Sequence, residues 1–144
     1  MYVNASHEIP AERERVFGFL SDLENHWQLA DGAISVVHVE PGNGGRVRMC
    51  GPLGVHRAAV TSLDHVHAPQ TIAGTARVGA RTRARVTWEL EPGPSDGRTL
   101  VTLSAQVEDA APLDRLLLFA GGRAWLESRF KRILATLEER FEQQ

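Results

Sequence analysis

Residues 113–142, LDRLLLFAGGRAWLESRFKRILATLEERFE, decide how this chain folds. Apolar side chains recur along this stretch at the 100° spacing of an α-helix, and they gather on one side of it. The members of this apolar stripe are Leu116, Phe119, Leu126, Phe130, Ile133, Leu134, Leu137 and Phe141. The pattern predicts one long C-terminal helix whose stripe must be covered by the rest of the chain.

The residues before this helix mostly alternate apolar and polar side chains, which is typical of strands with one buried face. We expect seven strands, at residues 2–9, 34–40, 46–50, 55–67, 71–78, 82–91 and 98–108. Pro10 ends the first strand and opens a helix, and residues 22–29 form a second short helix. The order β-α-α-β-β-β-β-β-β-α predicts an α+β fold, with a seven-stranded curved antiparallel sheet around the long C-terminal helix.

Length and composition limit the kinds of protein that this chain can be. A chain of 144 residues with 42% hydrophobic residues can form one domain, 1–144, with a core of its own. The single cysteine, Cys50, cannot form an internal disulfide. The first residues lack the basic-then-apolar pattern of a signal peptide, so we expect a cytoplasmic protein. A net charge of −2 without a basic block argues against a nucleic-acid partner, and no apolar run predicts a membrane span.

The interior between sheet and helix is expected to contain a cavity. Several strand positions predicted to face inward carry small side chains, such as Gly74, Ala76 and Ala84, which cannot fill the space under a helix. Strand facing and helical phase predict an apolar pocket of several hundred Å³. Its predicted lining residues are Trp27, Val36, Met49, Trp88, Leu103, Leu116 and Phe119.

Arg123 is the first candidate for a polar contact with a ligand. The helical count places its guanidinium on the apolar stripe, where a buried charge needs a partner such as a ligand carboxylate, phosphate or enolate. The alternative is that Gly121-Gly122 bends the helix and directs Arg123 to solvent or to a carboxylate of the protein. The same count directs Trp125 away from the stripe, toward an outer surface.

Three stretches together resemble a known superfamily. Ile9-Pro10-Ala11, the helix over residues 15–22 and the closing amphipathic helix resemble the START-like superfamily with the helix-grip fold, also called SRPBCC. Within it, the chain looks most like the bacterial polyketide cyclase/dehydrase and lipid-transport group. Gly51-Pro52 and Gly121-Gly122 also resemble the branch that contains an accessory protein of carbon monoxide dehydrogenase. The resemblance implies a cavity for a hydrophobic molecule and leaves open whether a reaction occurs there.

The histidines offer limited chemistry. In the resembling superfamily the second short helix covers one end of the cavity, which predicts that Trp27 stacks on a flat ligand and that His26 donates a proton near neutral pH. The alternative is that Trp27 anchors the core and His26 lies on the surface. His65 and His67 share a face of one strand, which is compatible with a metal. Two ligands do not complete a site, and no spacing adds a third, so no metal and no cofactor are predicted.

Three functions follow as hypotheses. The first is binding or transport of a lipid-like or polyketide-like molecule, because the sequence supports a cavity better than it supports a reacting group. The alternative is a polyketide cyclase or dehydratase that uses Arg123, His26 or His38 at the cavity wall. A second alternative is an accessory or interaction protein of the carbon monoxide dehydrogenase type, with Trp125 on its outer surface and a homodimer as its assembly.

Overall fold

A computed structural model of the chain describes residues 1–30, 34–40, 44–50, 56–79 and 81–142, and of residues 34–40, 49, 50 and 56 it describes the backbone alone. Seven strands and four α-helices follow one another along these residues. They are β1 (Tyr2–Ile9), α1 (Arg13–Leu20), α2 (Leu23–Leu29), β2 (Ile34–Glu40), β3 (Gly44–Cys50), β4 (His56–His67), β5 (Thr71–Val78), β6 (Thr82–Pro92), β7 (Thr99–Asp109), α3 (Pro112–Leu117) and α4 (Arg123–Glu142).

The strands form one antiparallel sheet in the order β1-β7-β6-β5-β4-β3-β2. Its two faces follow from the alternation of side chains along each strand. On the inner face Trp88 pairs with Ile72 on one side and Leu103 on the other, and all three are buried. On the outer face ion pairs join the strands, as between Arg85 and Asp64 at 3.0 Å. The alternation thus gives a sheet with one solvent-exposed face and one apolar face that the helices bury.

Gly74 permits a close approach between β4 and β5. The pairing register shifts between Leu63 and His65, which leaves one extra residue in β4, and such a bulge bends a sheet. A Cβ atom at residue 74 would lie 2.3 Å from the backbone oxygen of Ser62, so only glycine fits opposite this bulge. The bend curves the sheet toward the helices.

Helix α4 covers the part of the inner face formed by β1 and β7. Its buried side chains are Phe130, Leu134, Leu137 and Phe141, and they pack with Val3, Ile9, Val101 and Leu103 of these strands. His7 of β1 bonds to Glu138 on the same helix, and Phe19 of α1 meets the ring of Phe141 edge-on with 5.8 Å between centroids. This is the largest core cluster of the described residues.

Helix α2 packs over the opposite part of the inner face. Leu23 and Trp27 are buried against Val47 of β3 and Ala59 of β4, which form a second, smaller cluster. The helix begins at an Asp22 cap, whose carboxylate accepts a hydrogen bond of 3.0 Å from the backbone N–H of Glu24. The inner face is therefore covered by two separate helices with space between them.

The predicted single helix over residues 113–142 is wrong in its first part. Leu118–Gly122 forms a wide turn of π type, which we call the helix break, and the backbone inside it is not helical at Ala120 (φ −88°, ψ 34°) or Gly121 (φ 104°, ψ −3°). Glycine tolerates such a positive φ, whereas in other residues it causes steric strain. The break separates α3 from α4, so the two helices do not share one continuous apolar stripe.

The predicted α+β class, the antiparallel sheet and the long C-terminal helix are confirmed. Among the described residues, no helix is both long enough and apolar enough to span a membrane.

Candidate functional site

A cavity of about 430 Å³ lies between α2, the inner face of the sheet and α4. Its wall is mainly apolar and includes Trp27, Trp88 and Trp125, which are all three tryptophans of the chain. The volume falls within the roughly 300–1,000 Å³ range of small-molecule sites. The space is thus large enough for a small organic ligand.

Small side chains in β5 create the floor of this cavity. Gly74 and Ala76 lie on the inner face opposite Leu63 and Thr61, and the hydrogen of Gly74 and the methyl of Ala76 leave the space above them unfilled. Neighbouring β6 and β7 supply larger groups, among them the buried indole of Trp88. A gap therefore remains where β5 lies between the parts of the sheet covered by α4 and α2.

One side of α4 forms the roof of the cavity. Residues 125, 129, 132 and 136 recur at helical spacing and line the cavity beside the apolar stripe of the same helix. The guanidinium of Arg129 lies over the ring of Trp125, with 5.1 Å from Cζ to the centroid. Cation–π contacts of this kind orient both side chains.

His26 brings a titratable group to the wall. Its Nε2 lies 2.6 Å from the backbone oxygen of Leu20, so this nitrogen carries the hydrogen and donates it. The ring also packs against Trp88 at 5.2 Å between centroids. Burial lowers the pKa of His26, and the Leu20 hydrogen bond and the charge of Asp22 oppose this only in part. The imidazole is therefore neutral near pH 7, which favours proton acceptance over the donation expected from the sequence.

Thr61 contributes an unsatisfied hydroxyl to the wall. Its Oγ1 is buried, and among the residues that the structure describes it has no hydrogen-bond partner. An unpaired buried hydroxyl costs about 1–3 kcal/mol, which a ligand with a suitable polar group can recover.

The family to which this chain belongs is known from its sequence. The model of the family described as "Polyketide cyclase / dehydrase and lipid transport" matches residues 2–142. The chain belongs to this family. No curated protein matches it.

Solved structures show the same fold over the full length of this family member. TTHA0849 from Thermus thermophilus is 23% identical over 98% of this chain and 97% of its own, with a TM-score of 0.68. A START superfamily protein from Mycobacterium smegmatis is 18% identical over 99% and 97%, with a TM-score of 0.70. A conserved protein from Geobacillus kaustophilus is 15% identical over 99% and 96%, with a TM-score of 0.74. These structures confirm the fold that the resemblance implied, and the family match confirms the resemblance to the polyketide cyclase/dehydrase and lipid-transport group.

The sequence-predicted pocket residues of this polyketide cyclase/dehydrase and lipid-transport family member divide into three groups. Trp27, Trp88 and Leu103 lie in the cavity wall, and their contact with a ligand stays a prediction. The side chains of Val36 and Met49 lie outside the described residues, although their backbones pair with Val47 and Ile34, respectively. The third group, Leu116 and Phe119, lies outside the cavity wall.

The predicted positions of Leu116 and Phe119 in the pocket are wrong. Leu116 is 61% exposed and Phe119 is 90% exposed, and neither lines the cavity. Both precede Gly121, where the helix break turns the chain out of the phase that their spacing with Phe130 predicts. Only the part of the apolar stripe that lies in α4 therefore packs on the sheet.

Arg123 and Trp125 exchange their predicted positions. The Arg123 side chain is 60% exposed, and its Nε lies 3.7 Å from Oε1 of Glu127 one turn later, which is the alternative that the Gly121-Gly122 pair predicted. Trp125, expected on an outer surface, lines the cavity instead. The arginines of α4 that line the cavity are Arg129 and Arg132 instead.

The histidine pair of β4 has no third metal-ligating side chain beside it in the part of the chain whose side chains the structure describes. In residues 1–30, 44–48, 57–79 and 81–142, no group of three or more His, Cys, Asp or Glu side chains is close enough to hold a metal ion. His65 and His67 are exposed on β4. The side chains of His38, Cys50 and His56 lie outside the described residues, as do Gly51 and Pro52.

Sequence reasoning missed most of the cavity wall, including its polar residues Arg129, Arg132 and Thr61. The two arginines share a helix face with Trp125 and Thr136, a spacing that is readable from the sequence. Its charged residues are typical of a surface exposed to solvent. The face borders a cavity only because the sheet beneath it carries the small residues Gly74 and Ala76. Nothing in the sequence marks Thr61 as unpaired.

Proposed function

We propose that this protein binds a hydrophobic small molecule, of lipid or polyketide type, in the cavity between α2, the sheet and α4. The observation that carries the proposal is the mainly apolar cavity of about 430 Å³ with three tryptophans in its wall. The family of the chain supports the same class of ligand.

The expected affinity follows from the size of the apolar contact. Each buried methylene contributes about 0.8 kcal/mol, so a chain of about ten contributes roughly 8 kcal/mol before the costs of association. These costs are at least about 4 kcal/mol, and 1 μM corresponds to about 8.2 kcal/mol of binding free energy. The net is at most about 4 kcal/mol, so an alkyl ligand of ten methylenes should bind with a Kd of about 1 mM or weaker, and each further methylene should tighten it about fourfold.

Dodecanol tests the proposal because it presents an alkyl chain without a charge. Since every tryptophan lines the cavity, a titration below the aggregation threshold of dodecanol should shift the intrinsic fluorescence in proportion to the dodecanol concentration, with a slope that reports the affinity. Ala76→Phe adds a ring on the inner face of β5 and should weaken binding at least about tenfold, because it occupies ligand volume.

Ala58→Phe is the matched control, since it adds the same ring to an exposed position of β4 outside the cavity wall. It should leave the dodecanol titration unchanged. The proposal is wrong if the fluorescence does not respond to dodecanol, or if both phenylalanine variants titrate alike.

The second candidate function is a polyketide cyclase or dehydratase, and the neutral His26 favours it. An imidazole with a lowered pKa in an apolar wall can accept a proton from an acidic C–H or O–H of a bound polyketide. The two candidates differ in whether the bound molecule is released unchanged. Mass spectrometry of a β-polyketone recovered after incubation separates them when a protein-free sample is run alongside, since only an enzyme accelerates loss of water or ring closure over that sample.

A further inference from the structure

Two arginines of α4, Arg129 and Arg132, contribute to the cavity wall. Arg129 is half-buried and lies over the indole of Trp125, while Arg132 is exposed, so the positive charge lies where the cavity meets solvent. The remainder of the wall reaches inward to buried groups such as Trp88 and Leu103. The cavity thus has a cationic rim and an apolar interior.

This charge is unbalanced within the site. The described wall residues include two arginines and no aspartate or glutamate, and His26 is neutral near pH 7. Ion pairs within the described part of the chain use other arginines, for example Arg57 with Asp114 and Arg85 with Asp64. Within that same part neither rim arginine is in such a pair, although the chain as a whole has a net charge of −2.

We propose that the ligand is an amphiphile with one anionic end, which Arg129 and Arg132 hold at the rim while the apolar part fills the interior. The inference rests on the proposed binding function and adds the chemical class of the ligand. A guanidinium offers paired N–H donors in the geometry of a carboxylate, and the attraction is stronger beside an apolar wall than in bulk water. The Trp125 ring limits the motion of Arg129, so less side-chain entropy is lost on binding.

Arg123 does not fit this role and provides the control. It belongs to the same helix and carries the same charge, but its side chain is 60% exposed and faces Glu127. A general attraction of anions to α4 would involve Arg123 as well, whereas a specific rim site involves only the arginines in the wall.

The test compares dodecanoate, dodecanol and acetate by tryptophan fluorescence at pH 7.5, with each amphiphile below its aggregation threshold. Dodecanoate should bind at least about tenfold more tightly than dodecanol, since hydrogen bonds to charged groups are worth about 1.5–3 kcal/mol. Acetate, which has the anion without the chain, should not compete with dodecanoate at equal concentration.

The variants assign the preference to individual residues. Arg129→Gln should lower the affinity for dodecanoate about tenfold and leave dodecanol unchanged, and Arg132→Gln should act in the same direction by a smaller factor because it is more exposed. Arg129→Lys keeps the charge but loses the paired donors, so it should retain only part of the preference. The unchanged dodecanol titration of Arg129→Gln checks that this variant has kept its fold. Arg123→Gln should titrate like the unmodified protein.

Each failure points to a different error. If neither amphiphile binds, the proposed function is wrong, and the inference fails with it. If dodecanoate and dodecanol bind equally, the ligand class is wrong, and the proposed binding function stands. A loss of both amphiphiles in Arg129→Gln, or an equal loss of dodecanoate in Arg123→Gln, overturns the rim site.

Discussion

Over β1 and β7 the inner face of the sheet is packed tightly against α4, whereas over β4 and β5 the same face borders the cavity. In the packed region Leu134 and Leu137 are fully buried against strands that carry branched side chains such as Val3 and Val101. In the cavity region the floor carries Gly74 and Ala76. One sheet thus borders both a solid core and a cavity.

The difference shows that side-chain size and helix length, rather than hydrophobicity alone, decide where a cavity forms. Helix α4 has 20 residues and reaches far along the sheet, whereas α2 has 7 residues and covers only a small cluster. Small residues under the gap between two helices leave space that neither helix fills. Three predictions test this comparison, beginning with the largest expected effect.

Adjacent residues of α4 should differ strongly when truncated. Leu134 is fully buried in the packed region, so Leu134→Ala should lower the free energy of unfolding by about 2–5 kcal/mol, because it removes packed methylenes and leaves a new void. Ile133 lines the existing cavity, and Ile133→Ala only widens it, which should cost about 1 kcal/mol. Urea denaturation of both variants measures the difference.

Equal losses in these two variants would mean that the cavity wall is as tightly packed as the core. The comparison between the two regions would then be wrong, and the proposed binding site would lose its volume.

Much of the fold is predictable from the sequence because strand alternation is a local property. The alternation of β6 places Trp88 and Leu90 on one face, and the structure buries both. The spacing of Phe130, Leu134 and Leu137 likewise predicts the buried face of α4. Such patterns depend only on the spacing of apolar residues along one strand or helix, so they can be recognised without knowing how the elements pack together.

The site was harder to predict because the backbone angle at one glycine decides whether apolar residues at helical spacing lie on the same side of one helix. Leu116 and Phe119 continue the stripe of α4 by counting, yet the positive φ of Gly121 separates them from it. The Gly121-Gly122 pair suggested a bend, but a glycine pair does not specify the angle of the bend or which side chains it exposes. The position of Trp125 in the wall follows from that angle and from the gap under α4, neither of which is local.

Gly74→Ala should destabilise the cavity region by about 1–3 kcal/mol or more. Its Cβ would lie 2.3 Å from the backbone oxygen of Ser62, and a backbone atom in a paired strand cannot move away cheaply. Gly18→Ala is the control, because Gly18 lies in α1 with nothing within 4 Å of the added Cβ. That variant should gain about 0.4–1 kcal/mol, since alanine favours the helix.

Thermal or urea unfolding of the two alanine variants gives the result directly. A neutral Gly74→Ala would show that β4 and β5 are not in close contact at the bulge, and the account of the cavity floor would have to change.

The smallest expected effect is a pH dependence from His26 in the cavity wall. Burial lowers the pKa of His26 in the folded protein, so below the unfolded pKa of about 6.5 the unfolded chain binds a proton more readily than the folded one. The stabilising effect of the neutral imidazole is complete above that pH and is lost as the pH falls. The unfolding free energy should decrease below pH 6.5, by at most about 1.4 kcal/mol per pH unit from this one group.

His26→Gln isolates this contribution, because glutamine does not titrate and can still donate to the Leu20 carbonyl. Between pH 7.5 and 5.5, the variant should lose less stability than the unmodified protein. His65→Gln removes an exposed histidine of β4 and should follow the unmodified protein. If His26→Gln shows the same slope as the unmodified protein, His26 accepts protons as freely in the folded state as in water. Water then reaches the wall around His26. The wall at this position would offer no buried neutral base for a cyclase and no apolar interior for a carrier.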